Sequence, residues 1–520
     1  METNYPRFAC HARVTKLSAI ISDALDPVQK RAMLLFPCLQ FAEECRDYMQ
    51  QTLPSASCDI QCVSSVANPP AGHDIYAVFL SVERAKAMNF HVYSGTTISP
   101  RLADVCLQRL AGIEEPALNP VPSEGHFFSD YYKRHAPLSS VAEAKMAIRT
   151  RFSGVLGDGT NIRGVPTASP DDVYLYPAGM HAVWRVNQLI SAVLGGKNSS
   201  AKVAHVNLVY ADSYRFLQTP NGGGYHFFSN DTLDQLEALL ASGTPDSPTI
   251  LALMTELPGN PHMQTADLER LRRLADKYNF PIVVDETITG HLNVQVLPYC
   301  DIVVASLSKI FSGLANVLAG ALMLNPDSRF YSRFKAYMND TYRDYLFDQD
   351  ALILEMNSRE LAERTVVTNR NAEAVADALY ARSLAGGATQ SVLKEIHYPK
   401  YRTRENYDRV MNPQAAKAGV ANPGYSHLMT AIFTSLEAAE TFYESLQCFK
   451  GTTLGTVFTL STAFTVLAFP PEKMDWLREH DVDPISVRLS VGMEDPTEII
   501  RVVLAALDQT QRTVRPILPN

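Results

Sequence analysis

Three places in this 520-residue chain set reactive or polar residues directly after short apolar runs. Phe280–Val284 ends in Asp285, Glu286 and Thr287. Ile302–Ala305 ends in Ser306-Leu307-Ser308-Lys309, and Val173–Tyr176 ends in Pro177-Ala178-Gly179-Met180 before a helical pattern. In an open α/β sheet, ligands sit outside the carboxyl ends of the strands, so these junctions are where chemistry is to be sought. Singly, each residue has an ordinary explanation. A carboxylate after a strand commonly caps the next turn, a lysine is commonly solvated, and a glycine commonly relieves strain between strand and helix.

Together the three junctions match the needs of one cofactor, pyridoxal 5'-phosphate (PLP). It requires an amine for a Schiff base, a carboxylate that keeps its ring nitrogen protonated so that the ring accepts electrons, and a cup for its phosphate. Lys309 offers the amine and Asp285 the carboxylate. The backbone N–H groups of Gly179 and Met180, at a helix N-terminus, suit a phosphate, with the hydroxyls of Ser306 and Ser308 beside Lys309. No metal is implied. Cys58 and Cys62 stand close together, but no second Cys/His pair lies at finger spacing.

The elements needed to position these residues are those of an α/β sheet. From about residue 145, apolar runs alternate with helical patterns, which predicts a mostly parallel sheet with helices on both faces. Strands are expected at Val173–Tyr176, Lys202–Val209, Thr249–Met254, Pro281–Val284, Ile302–Ala305 and Leu318–Leu324, and helices at Gly179–Leu194, Thr232–Leu240 and Ala266–Tyr278. Tyr342–Leu384 reads as a long helical stretch leading into strand-helix units at 391–397, 427–447 and 486–508. The expected division is an N-terminal extension of unknown role over 1–140, with helical pieces at Ala19–Leu25 and Gln29–Gln51 and a strand at Ile75–Val82. A large α/β domain follows over 141–385, and a small α+β domain over 386–520.

Composition narrows the class of function. With 46% hydrophobic and 19% charged residues, the chain is that of an ordinary globular protein. A formal net charge of -9 argues against nucleic acid as a partner. Eight scattered cysteines fit reduced thiols in the cytoplasm rather than a disulfide scaffold. The sequence has no apolar run of membrane-spanning length and no basic segment followed by an apolar one at its start, so no membrane association is expected.

Beyond composition, an ordered set of motifs is recognisable: AIRTRFSG (147–154), YPAGM (176–180), YADSYRF (210–216), TELPGNP (255–261), VVDETI (283–288), SLSKIFSG (306–313), EMNSR (355–359) and VRLSVGMED (487–495). Through them the chain resembles the Cys/Met-metabolism family of PLP enzymes, most of all its fungal cystathionine γ-synthase-type members, from about 125 to 508. The resemblance implies the aspartate-aminotransferase-like fold (fold type I). It also implies that Tyr210 stacks on the cofactor ring, that Asn260 contacts the ring hydroxyl with Glu256 in the same loop, and that Thr287 belongs to the cofactor-binding set beside Asp285. By the same resemblance Arg488 grips the substrate carboxylate, and Arg151 reaches the phosphate of a neighbouring subunit. A homodimer or homotetramer with shared active sites is therefore implied.

Three positions depart from the family pattern. Arg149 stands where many relatives have an active-site tyrosine. Phe458 stands where relatives that handle cysteine often have a glutamate, and Thr453 where a serine is usual. The implied activity is γ-substitution on an O-acyl-L-homoserine: γ-elimination to a vinylglycine-type intermediate, then addition of a nucleophile at Cγ. A thiol gives a cystathionine γ-synthase-like transferase, and a carbon nucleophile such as acetoacetate gives the C–C bond formation of fungal specialised metabolism. A β- or γ-lyase is an alternative on the same scaffold, and a catalytically silent scaffold protein is a second.

Overall fold

Short apolar runs with turn residues at both ends become strands when their faces can be covered, and three sheets satisfy that condition in the computed structural model. It describes residues 10–113, 138, 140–195, 201–219, 222–244, 247–469, 471–480 and 482–514. The first sheet is antiparallel, in the order β1-β3-β2, from β1 (Ala32–Phe36), β2 (Cys58–Cys62) and β3 (Tyr76–Leu80).

The second sheet carries the three junctions. Its strands are β4 (Val173–Tyr176), β5 (Lys202–Val206), β6 (Tyr225–Phe228), β7 (Ile250–Glu256), β8 (Ile282–Asp285), β9 (Ile302–Ser306) and β10 (Gly320–Leu324), in the order β4-β10-β9-β8-β7-β5-β6. The run from β9 to β6 is parallel, and β10 is inserted antiparallel between β4 and β9. Asp285, Ser306 and Tyr176 therefore end their strands at the same edge, where Gly320 begins β10 opposite both Tyr176 and Ser306.

Strand periodicity sorts this sheet's residues between two cores. Leu175, Leu253, Val284, Val303 and Ala321 join one cluster; Tyr174, Tyr176, Met254, Val283, Val304 and Leu322 join the other. Both faces are covered, which is why the runs read as continuously apolar. The first core continues into a small C-terminal sheet of β11 (Leu393–His397), β12 (Leu428–Phe433), β13 (Phe449–Lys450), β14 (Leu460–Thr462) and β15 (Ser486–Ser490), ordered β11-β12-β15-β14-β13.

The second core continues into the N-terminal module. Leu34, Phe36, Phe41, Tyr48 and Phe90 pack with Val183, Trp184 and Leu189 of the helix Gly179–Leu194. Phe90 meets Trp184 edge-on at 5.5 Å, Phe41 meets His181 at 4.9 Å, and Arg185 donates to Glu44 at 2.9 Å. The extension thus covers the outer side of the helix whose N-terminus forms the proposed phosphate cup.

The structure corrects two helical expectations. Gln29–Gln51 is not one helical piece: its apolar run forms β1, and the helix starts at Leu39 and ends at Thr52. Leu34 and Phe36 enter one core and Leu35 another, so the strand lacks the alternation that would have distinguished it from a buried helix. In Tyr342–Leu384, residues 342–347 are neither helix nor strand, and two helices follow at Asp348–Ser358 and Leu361–Tyr380. The helix Gly179–Leu194 stands as expected. The expected break near 140 falls beside 114–137 and 139, which lie outside the described residues.

Candidate active site

Lys309 lies in the turn after β9, and its Nζ donates to Thr453 Oγ1 at 2.9 Å. The segment carrying Thr453 crosses this turn closely. Gly455 has φ +69°, and a Cβ there would lie 2.5 Å from the Ile310 nitrogen, so only glycine fits. Arg364 braces the same turn from below. It is 1% exposed and donates to the carbonyls of Ile310, Phe311 and Asn357.

Asp285 ends β8, buried, and its Oδ1 accepts from the Thr287 amide at 2.9 Å. Burial pushes its carboxyl up to about 6, and the hydrogen bonds from Thr287 hold it back from rising further. Thr287 also fixes the neighbouring strand, since its hydroxyl accepts from the Ser306 amide at 2.8 Å. Behind Asp285, Glu286 forms a fully buried ion pair with Arg163 at 2.8 Å; Arg163 is tied in turn to the Phe152 carbonyl. Such a pair is weak evidence of stability but fixes geometry.

Gly179 opens the helix above the third junction. A Cβ there would sit 2.6 Å from Ser306 Cβ and 3.0 Å from its Oγ, so the helix N-terminus and the β9 end touch only because the residue is glycine. Ala178 at the N-cap offers no side chain to the first turn. Uncapped N–H groups at that end are suited to an anion. Of the two serines, Ser306 faces this cup, whereas the Ser308 hydroxyl donates to the Ala319 carbonyl and accepts from its amide. Met180 is buried beside Ser213.

Arg488, on β15, is 2% exposed. It donates to Asn260 Oδ1 at 3.2 Å and to the carbonyls of Thr452 and Thr453, and its guanidinium stacks over Phe464 at 4.2 Å. Burial lowers it to about 10, while the nearby Tyr210 and Glu256 oppose the shift. No ion pair satisfies it among the described residues. Tyr210 precedes the helix Ala211–Leu217, half-buried.

The structure thus brings Lys309, Thr453, Asp285, Thr287, Ser306, Gly179, Asn260, Arg488 and Tyr210 to one edge of the large sheet. It does not bring Arg149 and Arg151 there. Both lie on the helix Val141–Ser153, where Arg149 pairs with Asp344 at 3.2 Å and Arg151 with Glu355 at 2.7 Å. Phe458 stacks edge-on against Phe449 at 5.0 Å, and Phe449 is 62% exposed. The nearby Glu494 accepts from the amide and hydroxyl of Thr459. Arg163 and Arg364 were invisible in the sequence, because an isolated arginine in a loop or helix carries no pattern of its own.

The donor set fits PLP: an amine, a buried carboxylate at the same edge, a helix N-terminus without a capping side chain that a Cβ would close, and a buried arginine awaiting an anion. These features define a PLP-dependent enzyme acting on an amino acid. Residues 168–508 match the model of the Cys/Met metabolism PLP-dependent enzyme family, and residues 13–99 match that of the fungal trans-sulfuration enzyme N-terminal domain. A cystathionine gamma-synthase-like enzyme from Amanita muscaria is 36% identical, with 98% of this chain and 92% of the relative covered. The cystathionine gamma-synthase of Neurospora crassa is 30% identical over the same shares. The solved structure of a cystathione gamma lyase from Micromonospora echinospora matches with a TM-score of 0.52 at 21% identity, covering 66% of this chain and 88% of that one, which supports fold type I. The chain belongs to the Cys/Met metabolism PLP-dependent enzyme family, in its fungal cystathionine γ-synthase-like branch, and PLP is its cofactor.

Proposed function

We propose that this enzyme replaces the γ-acyloxy group of an O-acyl-L-homoserine by a nucleophile, releasing the acyl group as a carboxylic acid. The observation that carries the reading is the buried Arg488 without an ion pair, beside a Lys309 amine held by Thr453. Bound PLP supplies an electron sink for carbanionic chemistry at the substrate's Cα and Cβ. Arg488 receives the substrate carboxylate through two N–H donors, and Asn260 holds its guanidinium plane. The freed Lys309 amine removes the proton at Cα, then serves Cβ as the γ-group leaves, and returns protons after the nucleophile adds. Thr453 keeps that amine on one side of the substrate. Asp285 would hold the ring nitrogen's proton by charge, and Tyr210 would supply an aromatic face to the ring.

The nucleophile is one without an ammonium group, such as a β-keto acid. Phe458 offers no carboxylate to an incoming cysteine, and the neighbouring Glu494 is engaged by Thr459. A desolvated ammonium without a partner would cost on the order of a few kcal/mol. Arg149 and Arg151 lie away from Lys309 in their own chain, paired with Asp344 and Glu355, and we assign them to a neighbouring subunit's site in a homodimer or homotetramer. Among the described residues no helix is long and apolar enough to cross a membrane. The eight free cysteines fit the reducing cytoplasm. We assign 141–385 to cofactor binding, 386–520 to the small domain, and, within the 1–140 extension, the described residues 10–113 to support of the phosphate-cup helix.

The test is to incubate the holoenzyme with O-acetyl-, O-succinyl- or O-phospho-L-homoserine and either acetoacetate or cysteine, and to weigh the products. The expected product joins the homoserine-derived C4 unit to acetoacetate. Formation of 2-oxobutanoate and ammonia whatever nucleophile is offered would make the enzyme a lyase instead.

A further inference from the structure

Glu256 ends β7, and the roles assigned above leave it without one. The parallel register pairs it with Asp285 across β7 and β8, which places the two carboxyl groups side by side on one face at the same sheet edge. It is 3% exposed, and its Oε2 is buried without a hydrogen-bond partner. Three groups face it. Asp285 comes from β8, Arg488 from β15, and the Tyr210 amide, which donates to its carboxyl group, from the loop before Ala211–Leu217. Of the two charged ones, Asp285 has the same sign, and Arg488 is not within ion-pair range.

We propose that Glu256 is held as a neutral carboxylic acid, so that the paired strand ends carry the single negative charge of Asp285 and Arg488 stays unpaired for an incoming carboxylate. An ionised Glu256 would stand desolvated beside a second carboxylate and would draw on the field of Arg488. Burial first, and then Asp285, push its proton affinity well above that of an ordinary glutamate, against the opposing effects of the Tyr210 amide and Arg488. Glu256 is a positioning residue: it sets the charge that the substrate carboxylate meets and takes no proton in the reaction.

The inference rests on the reading of Arg488 as the carboxylate site, and two measurements separate the two. Infrared spectra of holoenzyme labelled with 13C at the glutamate side-chain carboxyls, taken at neutral pH, should show a protonated carboxyl band that Glu256→Gln removes. Identical spectra in that region would overturn the proposal. Butanoate, which has no amino group to react, is titrated calorimetrically into the same proteins. The expected result is that Glu256→Gln changes its Kd by less than about threefold, because no charge is removed. A change of about tenfold or more in either direction overturns the proposal: tightening means a negative charge was present, and weakening means the acid itself grips the ligand. Should Glu256→Gln fail to fold, Glu256→Asp takes its place in the infrared measurement: the band of the labelled glutamate carboxyl should be lost, and a band that persists overturns the proposal. Butanoate binding that Arg488→Ala leaves intact would instead overturn the carboxylate-site reading.

Discussion

Cofactor binding to the apoprotein should depend on pH through Asp285. Its carboxyl titrates at about 6 in place of 3.8, mainly because burial disfavours the charged form. The difference of about 2 units corresponds to about 3 kcal/mol by which the folded apoprotein favours the protonated form. In the proposed role a protonated ring nitrogen would be the counter-charge, and it would pair with the carboxylate only. Below about pH 6, Asp285 must lose a proton before it can pair, so affinity for PLP falls about tenfold per pH unit; above that value this contribution is constant. The phosphate of PLP also titrates near pH 6 and acts in the same direction, so the diagnostic quantity is the slope of the unaltered protein minus that of Asp285→Asn. Equilibrium dialysis of apoprotein against PLP from about pH 5 to about pH 7 should give a difference of roughly tenfold. Equal slopes would refute the pairing. The folding corollary has a definite sign. The native apoprotein binds more protons than the unfolded chain between 3.8 and about 6, so apoprotein stability declines as pH rises through that window, by up to about 3 kcal/mol.

Gly179→Ala forces a Cβ against Ser306 at 2.6 Å; the strain, about 1–3 kcal/mol, should appear as a roughly tenfold or greater rise in the Kd for PLP. A Kd within twofold of the unaltered protein's would remove Gly179 from the cup. Arg488→Ala should raise KM for the O-acyl-homoserine about 100-fold, as expected for a lost charge-assisted pair of bonds, and leave the cofactor's absorbance in place. Collapse of that absorbance would make Arg488 structural. Phe458→Glu should shift the ratio of kcat/KM values towards cysteine and away from acetoacetate. An unchanged ratio would remove residue 458 from the choice of nucleophile.

The centre of the candidate site was legible in the sequence because its residues follow short apolar runs that alternate with helical patterns, the arrangement of a covered parallel sheet. Asp285, Ser306, Lys309 and Gly179 were read from the rule that ligands sit at carboxyl strand ends, together with the parts that one cofactor requires. Arg488 and Asn260 stand 228 residues apart and were read only through motif resemblance, since no local pattern shows that a strand and a distant loop will meet. The Thr453 segment crosses Lys309 because Gly455 permits it, a contact between segments 144 residues apart that periodicity does not carry. The N-terminal module misled for the opposite reason. β1 is apolar on both faces because two cores claim it, and a continuous apolar run has the same pattern in a strand and in a buried helix.

The central claim is that Lys309 is the residue that carries PLP. Borohydride reduction of the holoenzyme fixes the imine as a stable secondary amine, and peptide mapping by mass locates it. The account predicts the pyridoxyl adduct on the peptide containing Ser306-Leu307-Ser308-Lys309, and no adduct with Lys309→Ala. An adduct on any other lysine, or none in a protein that contains PLP, would contradict the assignment of the whole site.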